Sequence, residues 1–286
     1  MQTINALFEA SVQRYASHPA LSEPVEGDRI STLSYLQLQE RALAFAGYLQ
    51  KEQMVKGDRL LIWSASRIDW FVAYLGALLV GIVIVPVDVN SKEDFLSRIV
   101  ETTNATKIVT TQKQFKGLKN LALTLVDIDA LPQMTVDTAR LPSIEGDDLA
   151  EIVFTSGTTG QPKGVMLTHN NIASNATAAV TVVNIQSSDR ALSILPLSHM
   201  FEMTIEIALL YSGASIVYTR SLNPETLLKL FESQHATCMV LVPQALQLFF
   251  NGIERQVKNQ KREQQFERLL SIAARLPFRW RRLLFR

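Results

Sequence analysis

Cysteine is almost missing from this chain. Cys238 is the whole complement in 286 positions, so no disulfide can close within the chain, which suits a reducing compartment. It lies in the apolar run Cys238–Val242, where a buried structural thiol is expected rather than a nucleophile. Histidine is scarce too. Positions 18, 169, 199 and 235 share no metal-ligand spacing with the cysteine, so a zinc site is not expected. There are no internal repeats and no low-complexity tract. No secretion signal is read at the start, because Met1–Tyr15 carries Ile4, Leu7, Phe8, Val12 and Tyr15 at helical spacing instead.

Hydrophobic residues make up 47% and charged residues 19%, which provides for a sizeable core in one large or two ordinary domains. After His18-Pro19, short strands are expected at Pro19–Leu21 and Arg29–Leu33, then an amphipathic helix over Tyr35–Gln50. Lys56-Gly57-Asp58 turns into a strand at Arg59–Trp63. Trp70–Val87 holds no charged residue and is nearly long enough to span a bilayer. The reading taken is a buried helix over Arg67–Val80 and a buried strand over Ile82–Val85. Gly81 divides the two, Pro86 stops the strand, and β-branched residues fill only the second half.

Phe95–Thr102, Lys107–Thr110 and Ala122–Val126 continue the alternation of helix and strand, which predicts an α/β sheet covered on both faces. Asp127–Asp148 is a polar connection inside one domain. Thr168–Val183 is expected to be a helix with Thr168 as its N-cap, and Asn170, Asn171 and Asn175 are read as solvated positions on it. Strands at Ala191–Leu195, Ala214–Tyr218 and Cys238–Leu241 alternate with helices at Phe201–Tyr211 and from Asn223-Pro224 through Glu232.

The chain centres on Glu151–Val165, EIVFTSGTTGQPKGV. An apolar run ends in Thr155, Ser156, Gly157, Thr158, Thr159 and Gly160, with Pro162, Lys163 and Gly164 behind. Glycines admit positive φ and let backbone N–H groups approach an anion. The hydroxyls add short neutral donors, and Lys163 adds a mobile charge. These are the parts of a loop that holds a nucleotide triphosphate. A P-loop it is not, because Gln161 and Pro162 separate Gly160 from Lys163 where that motif has glycine directly before lysine. Val165-Met166-Leu167 is strand-like, so Thr155–Gly164 is expected to link two strands rather than a strand and a helix. The alternative is a solvated Ser/Thr/Gly turn.

TSGTTGQPKG resembles the signature loop of the adenylate-forming (AMP-binding) enzymes: acyl-CoA synthetases, luciferases and peptide-synthetase adenylation domains. The resemblance implies a layered α/β/α/β/α N-terminal domain of the acyl-CoA synthetase/luciferase-like fold, present here incompletely. It divides the chain at about 57–185 for a first α/β subdomain, with about 1–56 plus 186–286 forming part of a second. It also implies ATP, Mg²⁺ and coenzyme A, the last as co-substrate. Ser156, Gly157, Thr158, Thr159, Gly160 and Gly164 would border the phosphates, Lys163 would supply a catalytic cation, and Thr155 would help hold Mg²⁺.

Leu195–Glu202, LPLSHMFE, stands where a strand gives way to a helix and is similar to the family's second core motif. By that likeness His199 and Phe201 border the acyl pocket, His199 in a catalytic role. Read alone, the residues suit a helix-capping histidine and a core phenylalanine.

Residues 251–286 carry ten Lys/Arg and three Glu, a net +7, against −6 for the first 250. Cations there alternate with Trp280, Leu283, Leu284 and Phe285, a composition for an anionic bilayer surface or for a connecting helix with snorkelling arginines. The tail resembles the helical insertion of the long-chain fatty acid branch. The family's Y-G-x-T-E and T-G-D segments and its C-terminal lysine domain do not occur in these 286 residues.

The expected function is therefore that of a long-chain fatty acid–CoA ligase, AMP-forming, with the isolated chain inactive in the full reaction. The other readings are a non-catalytic remnant, a membrane-surface module, or one half of a split ligase. Expected partners are ATP, fatty acid and coenzyme A, together with the missing half of the ligase and the membrane surface, and no nucleic acid. The expected location is cytoplasmic, peripheral on the inner membrane face.

Overall fold

The charge-free stretch lies deep inside the molecule. In this computed structural model, which describes residues 2–280 apart from 27–28, 119–120, 157–161, 220 and 278–279, Trp70, Phe71, Tyr74, Ala77 and Leu78 are fully buried. They belong to a helix that ends near Gly81, whose φ of +77° suits a residue without a side chain. No helix among the described residues is long and apolar enough to cross a membrane.

The chain opens with α1 (Ile4–Tyr15), the hairpin β1 (Pro19–Val25) and β2 (Arg29–Ser34), and α2 (Tyr35–Lys51). Ser34 starts α2 with a capping box closed by Gln37. Next come β3 (Arg59–Trp63), α3 (Ile68–Leu79), β4 (Val83–Val87), α4 (Glu93–Thr103), β5 (Lys107–Thr110), the single turn α5 (Gln112–Phe115) and β6 (Thr124–Asp127). The hairpin β7 (Leu149–Ser156) and β8 (Pro162–Thr168) runs directly into α6 (His169–Val183). Then follow β9 (Arg190–Ser193), α7 (Met200–Tyr211), β10 (Ser215–Tyr218), α8 (Pro224–Ser233) and β11 (Cys238–Met239), and last the helices α9 (Pro243–Asn259) and α10 (Glu263–Arg275).

Two sheets result. One has the order β6-β5-β3-β4-β7-β8 and is parallel except for the β7–β8 hairpin; the other has the order β11-β9-β10-β1-β2 and is parallel except for β1–β2. Alternation along the strands explains the layers. Leu60, Ile62 and Ile84 face a central helical layer of α1, α2, α3, α6 and α7, and Ala191, Ile216 and Tyr218 meet that layer from the other sheet. Leu61, Trp63 and Val85 face α4 on the outside. Leu192 and Val217 face α8 and α9. The arrangement is the five-layer α/β/α/β/α stack that the resemblance implied.

Pro86 does not stop its strand. β4 continues through Val87 with Pro86 opposite Ile62, and the ladder to β7 registers at Ile84–Glu151, ahead of the residue that has no N–H to give. α9 begins at Pro243, which occupies the first turn, where a missing N–H does no harm.

Candidate functional site

The signature stretch folds as a hairpin. Thr155 pairs with Lys163 and Ser156 with Pro162, so the antiparallel ladder takes in both ends of the expected loop. This shortens the loop anticipated over Thr155–Gly164. Its centre, with Gly157, Thr158, Thr159 and Gly160, lies outside the described residues. Val165–Thr168 is strand, as the absence of a helix-start signal required. Gly164 packs closely on β7, since a Cβ there would sit 2.9 Å from the Ile152 side chain and 3.2 Å from the Phe154 ring. Lys163 is exposed and makes no ion pair among the described residues.

A cavity of about 680 Å³ lies between this hairpin, the end of β4, the start of α6 and the loop before α7. It brings Thr155 and His199 together, although 44 positions separate them and they extend from different sheets. Apolar walls come from Val87, Phe95, Phe154 and Ile172. Lys163 and Phe201 do not line it; Phe201 is 57% exposed on the turn next to Met200, which does.

Polar residues of the cavity not expected from the sequence include Asp88, Asn171 and Asn175, alongside the hydroxyls of Ser91, Ser198 and Thr204. Asp88 follows the C-terminal end of a parallel strand, a position that could have flagged it. Asn171 and Asn175 are four apart, on one helical face. Thr168 caps α6 as expected, and the Asn171 carboxamide closes the box by accepting from the Thr168 N–H at 3.0 Å. The Asn175 amide donates to the Asn171 carbonyl at 2.8 Å.

His199 is the N-cap residue of α7, but its side chain makes no capping bond. Its Nε2 lies 3.8 Å from Asp88 Oδ2, with the side chains 64% and 32% exposed. That is an ion pair only when the imidazole is protonated, and a weak one in so much solvent. Neighbouring Ser198 is buried, and its hydroxyl has no partner among the described residues.

Beneath the site lie buried carboxyls. Glu151 accepts from the Tyr74 hydroxyl at 2.6 Å, and burial pushes it up to about 7 against the pull of that bond. Burial likewise carries Glu202 to about 7, opposed by the Ser193 hydroxyl bonded to it at 2.7 Å. Glu206, one turn on, is held well above the carboxylate range by burial and by Glu202, and it accepts from Tyr218 at 2.6 Å. His169, fully buried at the start of α6, is driven down to about 4 by desolvation. These groups do not line the cavity; the bonds of Glu202 and Glu206 anchor α7, whose first turns do.

The family model described as AMP-binding enzyme matches residues 8–283. The chain belongs to the AMP-binding enzyme family. It is 28% identical over 267 residues to Long chain acyl-CoA synthetase 8 of Arabidopsis thaliana, covering 76% of this chain and 37% of that protein. It is 30% identical over 218 residues to 4-coumarate–CoA ligase 3 of the same plant, covering 69% and 39%. In fold it is similar to a fatty acyl-adenylate ligase from L. pneumophila solved with acyl adenylate and pyrophosphate. There the TM-score is 0.73 at 24% identity, over 84% of this chain and 44% of that one. The chain thus spans well under two thirds of the length of these relatives, and it has the layered fold of N-terminal subdomains of this family.

Proposed function

We propose that residues 1–286 form the phosphate-facing and carboxylate-facing part of an ATP-dependent acid–thiol ligase whose acid is a long-chain fatty acid. One observation carries this reading: Thr155 of the hydroxyl-glycine hairpin and His199 of the LPLSHMFE loop line one cavity. A carboxylate oxygen of the acid would attack the α-phosphorus of ATP there. The bond to the bridging oxygen breaks, pyrophosphate leaves, and acyl adenylate remains. Coenzyme A sulfur then attacks the acyl carbon, and AMP departs. In-line attack of this kind depends on alignment and on neutralising the leaving group. Thr155 and residues 156–160 would supply donors to the phosphates, and Lys163 a cation. His199 would border the acid on the opposite wall, with Phe201 at the outer edge.

The described residues bring together no three His, Cys, Asp or Glu side chains as a metal site. A magnesium ion carried in on a triphosphate needs few protein ligands. The Thr155 hydroxyl suits such an ion alongside phosphate oxygens, where it would neutralise developing charge. The acid is read as long-chain from the likeness to Long chain acyl-CoA synthetase 8 and from the basic helical tail, while the likeness to 4-coumarate–CoA ligase 3 makes aromatic acids the competing class. The tail, with exposed Ile253, Leu269, Leu270, Ile272 and Trp280 among its cations, would rest on an anionic bilayer at the cytoplasmic face. The rest of the ligase, in the same or another polypeptide, would complete the site.

Calorimetric titration of residues 1–286 with Mg-ATP tests the reading. Weak binding that falls further with Lys163→Ala is expected. Tight binding indifferent to Lys163→Ala would place the nucleotide elsewhere.

A further inference from the structure

The loop between β9 and α7 is gripped from the other sheet. β9 leaves its ladders at Ser193, opposite Tyr218 of β10, and its pairing with β11 ends at Leu192–Met239. Beyond that point the backbone of Ile194–Leu197 has no strand neighbour among the described residues, and buried N–H and C=O groups still require partners. Ser66, in the connection from β3 to α3, supplies two at once. Its hydroxyl donates to the Leu195 carbonyl at 3.2 Å and accepts from the Leu197 N–H at 3.0 Å. The two bonds straddle Pro196, which has no N–H of its own. The His199 N–H then donates to the Pro196 carbonyl at 3.0 Å. The turn that Ser66 holds is therefore the turn that presents His199.

We propose that Ser66 is a positioning residue that sets His199 against the Thr155 wall of the cavity. Thr155 belongs to the six-stranded sheet, and Ser66 follows β3 of that same sheet, whereas His199 follows β9 of the other. One hydroxyl thus ties the His199 turn to the sheet that carries the hairpin. α7 has separate anchors in Ser193–Glu202 and Tyr218–Glu206, so removing the Ser66 hydroxyl releases the turn without releasing the helix. The inference rests on the proposed use of this cavity, but its first readout does not.

That readout is the imidazole NMR spectrum of ¹³C-histidine-labelled protein, whose four histidines are told apart with His199→Gln. Ser66→Ala is expected to shift and broaden the His199 signals while buried His169 stays in place. Ser66→Thr, which keeps the hydroxyl, restores the original signals. Unchanged His199 signals in Ser66→Ala overturn the proposal, and so does a variant in which His169 moves equally. Should Ser66→Ala lose the dispersion of a folded protein, Ser66→Cys keeps the volume with a weak donor and is read by the same two outcomes. The second readout is affinity for a long-chain acyl-sulfamoyl adenosine, expected to weaken about tenfold in Ser66→Ala and to recover in Ser66→Thr. No affinity in the unaltered chain would count against the proposed function, while the histidine spectra would still decide the role of Ser66.

Discussion

The hydroxyl of Ser193 donates to Glu202 Oε1 across 2.7 Å and so closes the two ends of the loop that carries Ser198 and His199. Ser193 is the last residue of β9, and Glu202 lies in the first turn of α7. Glu202 Oε2 is buried and has no hydrogen-bond partner among the described residues. The bond to Ser193 therefore provides for one oxygen of a carboxyl whose other oxygen finds no hydrogen bond among the described residues.

Ser193→Ala should destabilise the protein by about 1–3 kcal/mol, because it strands a second buried polar atom rather than merely deleting a bond. Ser193→Ala with Glu202→Met should recover most of that loss, since the stranded carboxyl is gone. Urea unfolding of the two single variants and the double variant measures the coupling. Strictly additive effects would show that the two side chains do not depend on each other.

Glu151 gives the stability a pH dependence with a definite sign. Its folded value near 7 lies above the ordinary 4.5, so between those limits the folded state keeps a proton that the unfolded state has lost. Stability then falls as pH rises from about 4.5 to about 7, by roughly 3 kcal/mol if the whole shift is realised. His169 acts in the opposite direction between its folded value near 4 and its ordinary 6.5. Comparing the protein with Glu151→Gln across pH 4 to 8 cancels that contribution, because both carry His169. The advantage of Glu151 over Gln should be greatest below pH 4.5 and shrink toward pH 7. A difference that stays constant across the range would mean that the buried carboxyl is not holding its proton.

Much of the layering could be read from local pattern. β-branched residues in the second half of Trp70–Val87 separated helix from strand, and Thr168 marked the start of α6. Pro86 misled because its harm depends on which neighbour needs its N–H, and that is a property of the sheet. Facing was harder still. His199 and Phe201 are two apart at a helix start, and only the packing of α7 decides that the first meets the cavity and the second points outward. Asn171 and Asn175 are solvent-exposed helix positions, as read, and nothing local shows that they also border the cavity. The buried acids escaped notice for the same reason: Glu151 meets Tyr74 across 77 positions and Glu206 meets Tyr218 across 12.

Thr168→Ala should lower stability by about 1 kcal/mol, with Thr168→Ser close to neutral, because the hydroxyl accepts from the Asn171 N–H at 3.2 Å. The loss should be felt in the cavity as well. The capping box fixes Asn171, and Asn175 bonds to the Asn171 carbonyl, so fraying the first turn moves both cavity amides. Amide hydrogen exchange is expected to quicken at residues 169–172 and to stay slow in α3. Equal acceleration in both helices would mean that the cap acts on the whole fold rather than on the start of α6.

Turnover is the last expectation. Residues 1–286, purified alone, should release no measurable pyrophosphate from ATP with palmitate or with shorter acids. The chain spans 37% of Long chain acyl-CoA synthetase 8, and the Y-G-x-T-E and T-G-D segments that the family uses do not occur within it. In that family these segments supply a carboxylate partner for magnesium and an anchor for the ribose. Each group that aligns or neutralises a phosphoryl transfer contributes on the order of 10²–10³ to the rate. Such losses compound unless the groups act as a unit. The His199 side chain on the cavity wall is 64% exposed, so water is not excluded from a developing charge there. Addition of a polypeptide carrying the remaining motifs should restore fatty-acid-dependent release. Robust release from the 286-residue chain alone would mean that its own side chains hold everything the first half-reaction needs.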